Sequence, residues 1–303
     1  MANKAILENE RYHLFAWQGF SCEIPADWNL AEYKVADGVS HARFHDDFNR
    51  RLDFEWINAR RRIKMDVIRR RYDKIASSMS AGGAQAENID DMPGGWSACL
   101  YSMPDGKRLL AAFRLVPESN FFCLLKMHFE NASKREADRI IRKLATTFNL
   151  CEHGMAPWAV YDIAFQLRKD FRLAATSFQA GRKLLVFEWR LRRLHLMFFS
   201  LADLLLKDQT MEKWCAGYLN GFKAISGVKF AEGREGKIVA SHDWWRFLGN
   251  VEPVMRGCLR YKAWCRLIPE KNQIFLGVLN YSRQKDLAFL ADSLDSSLAP
   301  NLA

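Results

Sequence analysis

The sequence predicts an α+β protein made of two tandem, related domains, each an antiparallel sheet with helices packed on it. Three observations predict this. First, Arg114-Leu115-Val116-Pro117-Glu118-Ser119-Asn120 is echoed by Arg266-Leu267-Ile268-Pro269-Glu270-Lys271-Asn272, each between two apolar runs. Second, two further matches fall in the same order: Asp27-Trp28-Asn29-Leu30-Ala31 with Asp170-Phe171-Arg172-Leu173-Ala174, and Arg51–Trp56 with Leu184–Trp189. Collinear blocks with unequal spacers are what a duplication with loop insertions leaves. Third, hairpin signals dominate and no strand–helix–strand series occurs, which favours antiparallel pairing.

Taken in order, Phe20, Cys22 and Ile24 alternate before Pro25 and predict a first strand. Val39–His45 and Arg51–Trp56 read as a hairpin, with Leu52, Phe54 and Trp56 on one side. Met65, Ile68, Tyr72, Ile75 and Met79 have helical spacing. Ser80–Gly95 reads as a loop. Trp96–Met103, Leu109–Val116 and Phe121–Phe129 follow as strands, joined by turns at Pro104 and Pro117. Ser133 with Glu136 forms a capping-box signature before Ala137, Ile140, Ile141, Leu144, Ala145 and Phe148.

Asn149–Trp158 is read as the linker, giving domains 1–150 and 151–303. The second half offers strands near Ile163–Leu167 and Lys183–Trp189, a helix Met211–Ile225, a hairpin turn at Pro269–Asn272 and a last helix opened by Ser282. An insertion is expected around 228–257.

The 303 residues suit two ordinary domains. Hydrophobic residues are 49% and charged residues 26%, a soluble globular composition. The apolar run Leu194–Leu206 is too short for a membrane span and reads as core. Seven Cys without a Cys-x-x-Cys pair predict reduced thiols. The first ten residues show no secretory apolar region, and the expected location is the cytoplasm. Lys plus Arg number 45 against 35 Asp plus Glu, which admits nucleic acid, an anionic membrane face or an acidic protein as partner.

The entry Phe20-x-Cys22-x-Ile24-Pro25-x-Asp27-Trp28 and the closing Ile140-Ile141-x-x-Leu144-x-x-x-Phe148 resemble those of PsbP/DcrB-like domains. The second half fits more loosely, since it lacks the Pro25 equivalent and has Phe171 for the Trp. The resemblance implies a compact sandwich that binds another protein, as an assembly factor, accessory subunit or chaperone, with no catalytic constellation.

Candidate chemistry is sparse. His41 and His45 beside Asp46 and Asp47 are about 13 Å apart if extended, too far to chelate one ion, so no metal site is expected. Cys151-Glu152-His153 lacks a third orienting group and reads as a linker thiol. Cys258 and Cys265 read as packing positions. Glu55 and Glu188, each between Phe and Trp, are read as matched, outward-facing strand residues. No Walker, Gly-x-Ser-x-Gly or His-Glu-x-x-His pattern occurs, and no cofactor is expected.

The candidate partner-binding residues are Trp244 and Trp245, since Trp is favoured at binding hot spots, and the basic run Arg60, Arg61, Arg62, Arg69, Arg70 and Arg71. The Arg run reads first as a solvated face and second as a phosphate or acidic-partner footprint. The expected function is a non-catalytic adaptor, accessory subunit or secretion/assembly chaperone. The alternative is nucleic-acid binding through the basic helix, followed by an enzyme with a site between the halves.

Overall fold

In a computed structural model, residues 12–36, 38–58, 65–130, 133–151, 153–190, 192–222, 225, 228–242, 260–281, 283–294 and 298 are described; within Met65–Ala81, side chains are described for Arg70 and from Tyr72 onward. Backbone contacts divide the chain into two compact units: 1–152 with Ala159–Tyr161, and 153–158 with 162–303. The fold is mixed α+β, and every ladder between named strands is antiparallel.

The first unit opens with β1 (Tyr12–Trp17) and β2 (Phe20–Pro25), a hairpin whose second strand also pairs with β10 (Asn149–Leu150). Its main sheet is built from β3 (Asn29–Ala36), β4 (Val39–His45), β5 (Arg50–Asn58), β6 (Gln85–Ile89), β7 (Trp96–Ser102), β8 (Arg108–Val116) and β9 (Phe121–Phe129). Their spatial order is β3-β4-β5-β9-β8-β7-β6.

Alternation gives this sheet two faces. The inner face carries Phe44, Phe54, Trp56 and Phe121, which meet Phe15 and Phe20 of the hairpin. Phe15–Phe44 centroids are 4.8 Å apart, Phe20–Phe54 4.9 Å and Phe20–Trp56 5.1 Å. Helix α2 (Lys134–Thr147) buries Ala137, Ile140, Ile141, Leu144 and Ala145, and Ser133 caps it by accepting from Glu136 N at 3.2 Å. Phe148 just beyond stacks on Phe20. Helix α1 (Met65–Ala81) takes the outer face, where Tyr72, Ile75, Ala76 and Met79 pack on Cys99, Tyr101, Leu109 and Ala111.

β11 (Met155–Val160) is divided between the units after Trp158, and β12 (Ile163–Arg168) belongs to the second. Its main sheet comprises β13 (Arg172–Gln179), β14 (Arg182–Trp189), β15 (Arg192–Ser200), β16 (Val228–Glu232), β17 (Lys237–His242), β18 (Arg260–Ile268) and β19 (Gln273–Tyr281). The order β13-β14-β15-β19-β18-β17-β16 repeats the connectivity of the first sheet. After β15 the chain turns through Leu201 (φ 63°) into the single-turn helix α3 (Ala202–Leu205). Helix α4 (Met211–Gly221) is capped by Thr210, and α5 (Gln284–Ala291) closes the unit.

The equivalence is detailed. Asn120 (φ 50°) and Asn272 (φ 47°) end identical 3₁₀ turns in the left-handed region, where Asn is tolerated. β3 bulges between Leu30 and Glu32, and β13 bulges at the matching place between Leu173 and Ala175. One sequence match is corrected by register. Glu188 lies on β14, one strand in from the edge, opposite Arg172, whereas Glu55 lies on β5, two strands in. The position matching Glu55 is Met197. The Phe-Glu-Trp string misled because similar alternation serves neighbouring strands.

Several elements differ from the sequence reading. β6 runs through the expected loop, because its Gln-Ala-Glu-Asn stretch is exposed and carries no apolar alternation. The expected linker contains β10 and most of β11. The stretch 228–257 contains β16 and β17, which belong to the sheet. Helix α4 stops at Gly221, short of Ile225. The last helix begins at Gln284, with Arg283 N donating to Asp286 Oδ2 at 3.0 Å, and Ser282 lies outside the described residues. Among the described residues, no helix is long and apolar enough to cross a membrane.

Candidate functional site

On the outer face of the first sheet, beyond the part covered by α1, the strands alternate charge against the aromatic inner face: Glu32 and Lys34 on β3, His41 and Arg43 on β4, Asp53 and Glu55 on β5, Lys126 and His128 on β9. Register sets these side by side. Asp53 stands opposite Arg43 on one flank and Lys126 on the other, and Glu55 stands opposite His41.

Asp53 is the hub and is only 7% exposed. It accepts from Arg50 Nε at 2.7 Å and again from Arg50 Nη2, meets His128 Nε2 at 3.0 Å, and takes Arg43 Nε at 3.4 Å. Burial alone would raise its pKa. The hydrogen bonds and charges of His128 and Arg50 outweigh burial and hold the carboxyl down at about 2. Arg43 also donates from Nη1 to Glu32 at 2.6 Å, and Lys34 lies 3.3 Å from the other Glu32 oxygen. The Lys34 hydrogen bond, then the Arg43 charge, lower the Glu32 pKa. Glu55 takes Lys126 Nζ at 3.0 Å and has His41 Nδ1 at 4.0 Å.

A shallow cavity of about 160 Å³ opens among Glu32, His41, Arg43, Arg50, Asp53 and Glu55. A second, of about 220 Å³, lies past Arg50 among Lys107, Arg108, His128 and Glu130. This arrangement can bind a surface of complementary charge. Asp53 and Glu32, both held below the ordinary carboxyl range, are poorly suited to act as general acids at neutral pH. Among the described residues, no His, Cys, Asp and Glu cluster could hold a metal ion.

The residues singled out from sequence are placed as follows. Trp244, Trp245, Arg60, Arg61 and Arg62 lie outside the described residues, as does Cys258. Arg69 and Arg71 are in α1, with side chains outside the description. Arg70 and Lys74 are exposed. His41 joins the charged face. His45 does not, and its Nε2 is buried without a hydrogen-bond partner. Asp46 organises the β4–β5 turn, accepting from Phe48 N at 2.8 Å and Asn49 N at 2.6 Å. Cys151 is partly exposed, and its N–H donates to Gly19 O at 2.7 Å. Cys265 is buried.

Sequence reasoning did not find Asp53, Arg43, Glu32, Lys126 or His128 as a group. A signal for them existed: four strands alternate polar residues against their aromatic face. Which strands are neighbours is what assembles them, and only pairing supplies that.

No family model matches this chain, and no curated protein sequence does. Solved structures give loose fold likenesses. The Ran-binding protein Mog1p of Saccharomyces cerevisiae is 8% identical over 48% of this chain and 97% of its own, with a TM-score of 0.32. The cyanobacterial PsbP of Synechocystis is 17% identical over 48% of this chain and 95% of its own, at 0.33. The T6SS immunity protein TplEi of Pseudomonas aeruginosa, solved with "L" peptide, is 13% identical over 95% of this chain and 98% of its own, at 0.35.

Proposed function

We propose that this chain is a non-catalytic protein-binding adaptor or accessory subunit whose docking surface is the charged outer face of the first sheet. One observation carries the reading. Among the described residues, the first unit leaves without a helix, and fills with mutually paired charges, sheet positions that in the second unit are largely apolar and packed under a helix. The solvent-exposed rim of this lattice, Lys34 and Glu32, adds little stability for its size. It does give a partner a specific electrostatic pattern and speeds encounter. The shared strand order, turns and bulges support reading the units as tandem copies, domains 1–150 and 151–303, of which one kept an open face.

The test is co-purification from native extract, with identification of bound proteins, for the unaltered chain and for Lys34→Glu and Glu32→Lys. The expected result is a protein partner lost in both variants, with folding unchanged by circular dichroism. A partner retained equally by both would remove this face as the surface. Turnover of a substrate by the purified chain would remove the adaptor reading.

A further inference from the structure

The turn between β4 and β5 holds an aromatic side chain out in solvent. Phe48 is 88% exposed, and among the described residues its ring meets no other ring. The turn that carries it is firmly tied. Asp46 Oδ1 accepts from Phe48 N at 2.8 Å and from Asn49 N at 2.6 Å. Asp46 N donates to Asn49 O at 3.0 Å, and Arg51 Nε donates to Asp46 Oδ2. An aromatic side chain on a backbone fixed in this way loses little entropy when a partner covers it.

Beside this turn lies the second cavity, of about 220 Å³, which Asn49 and Arg50 line with Lys107, Arg108, His128 and Glu130. Its chemistry differs from that of the first. The first sets Glu32, Asp53 and Glu55 against Lys34, Arg43 and Arg50. The second sets a single acid, Glu130, against Arg50, Lys107 and Arg108. Asp53 takes Arg50 through Nε and Nη2, which fixes the guanidinium and leaves Nη1 for a further acceptor. Lys107 Nζ lies 3.2 Å from Asp105 Oδ2, but both side chains are more than half exposed, so solvent screens that pair.

We propose that a protein partner docks here through an acidic segment, one Asp or Glu carboxylate entering the cavity against Arg50 and Lys107 and an apolar socket covering Phe48. This rests on the docking reading above and adds the chemistry of what docks. Charge complementarity selects the occupant. A carboxylate accepts charge-assisted hydrogen bonds from both a guanidinium and an ammonium, whereas a basic segment would meet like charge. Single-stranded nucleic acid is held by several aromatics in succession along a basic groove. The turn Asp46–Asn49 offers one aromatic, the pattern of a protein anchor.

Selection of a displayed library of random heptapeptides on the immobilised full chain tests this. Recovered peptides are expected to be enriched in Asp and Glu next to apolar residues. The tightest of them should lose about tenfold in affinity to Phe48→Ala, read by fluorescence anisotropy. Lys107→Glu should cost about tenfold or more. Both positions are exposed, and circular dichroism confirms each fold. Peptides without acidic enrichment overturn the proposal, as does affinity indifferent to Lys107→Glu. Single-stranded DNA that binds more tightly than every recovered peptide would assign the cavity to phosphate and overturn it too. The docking reading fails separately. A co-purified partner lost from Lys34→Glu but kept by both Lys107→Glu and Phe48→Ala leaves the face as a docking surface and removes this proposal. Acidic peptides that bind as described, with no partner recovered from extract, keep the proposed subsite and remove the adaptor reading.

Discussion

The outer faces of the two main sheets occupy the same ladder positions and carry opposite chemistry. Asp53 of the first sheet corresponds to His195 of the second, Lys126 to Val278, Arg43 to Val186, His41 to Leu184 and Glu55 to Met197. In the first unit these residues form an ion-paired lattice around the buried Asp53, half-exposed toward its rim. In the second, Met197, Val278 and Leu184 pack with Cys215, Ala216, Leu219 and Phe222 from α4 and its C-cap, and the His195 ring lies edge-on to Phe222 at 6.0 Å. The inner faces instead preserve bulk while trading it. Ala112 opposite Leu125 in the first sheet becomes Trp264 opposite Gly277 in the second. A backbone pattern can thus be held constant while one face changes its role and the other only redistributes volume.

The strongest way to break the comparison is at that traded pair. Trp264 is 3% exposed, its Nε1 donates to Leu298 O at 2.7 Å, and a Cβ on Gly277 would sit 2.3 Å from its ring. Trp264→Ala should cost about 3–5 kcal/mol in denaturant unfolding. Gly277→Ala alone should cost at least about 1–3 kcal/mol by overpacking. Trp264→Ala with Gly277→Leu imports the first sheet's solution and should recover at least about 1 kcal/mol of the Trp264→Ala loss. No recovery would mean that the inner faces are not interchangeable.

Next is the hub. Asp53→Ala leaves Arg43, Arg50 and His128 without their shared acceptor and should cost about 2–3 kcal/mol, measured the same way. The reciprocal His195→Asp places a carboxylate against Phe222 and should also destabilise, by about 2 kcal/mol or more. Tolerance of His195→Asp would mean that the second face is not an apolar surface packed under α4.

The pH dependence sharpens the contrast further. The folded Asp53 pKa, about 2, lies below its ordinary 3.8. Its stabilisation is therefore complete above about pH 4 and is lost as pH falls toward 2, a contribution on the order of 2 kcal/mol. Acid titration of unfolding free energy should show this loss, and Asp53→Asn should remove that part of the slope.

A smaller effect is expected at the helix that covers the second face. Thr210 caps α4 by accepting from Lys213 N at 3.2 Å and also donates to Glu232 at 2.7 Å. Thr210→Ala should cost about 1 kcal/mol and raise hydrogen exchange at the start of α4. Smallest is Lys34→Glu, whose effect on stability should stay within about 0.5 kcal/mol, since that side chain is 54% exposed. A larger change would assign Lys34 a structural role in place of docking.

How much of this could be read beforehand varied with local regularity. β4, β5, β7, β8, β9, β14 and α2 were legible because their apolar residues keep a clean period. β3 and β13 were not, because each bulge inserts a residue and breaks the alternation after Leu30 and Leu173. β11 was hidden by Gly154 before it and Pro157 within it, which mark a break in most contexts. The charged face was missed for another reason: Asp53 and His128 are 75 residues apart, and nothing local links them.

The sequence by itself determined the α+β class, the two equivalent Pro-Glu-x-Asn hairpin turns, the aromatic inner strands and the capped helix after β9. Turn chemistry and side-chain period act over a few residues, and those residues are adjacent in the chain. Only the tertiary structure decided which strands are neighbours. That choice sets Glu188 apart from Glu55 and gathers Asp53, Arg43, Arg50 and His128 into one lattice. These outcomes depend on register across ladders between segments far apart in sequence, where a shift of one residue would turn every side chain to the other face.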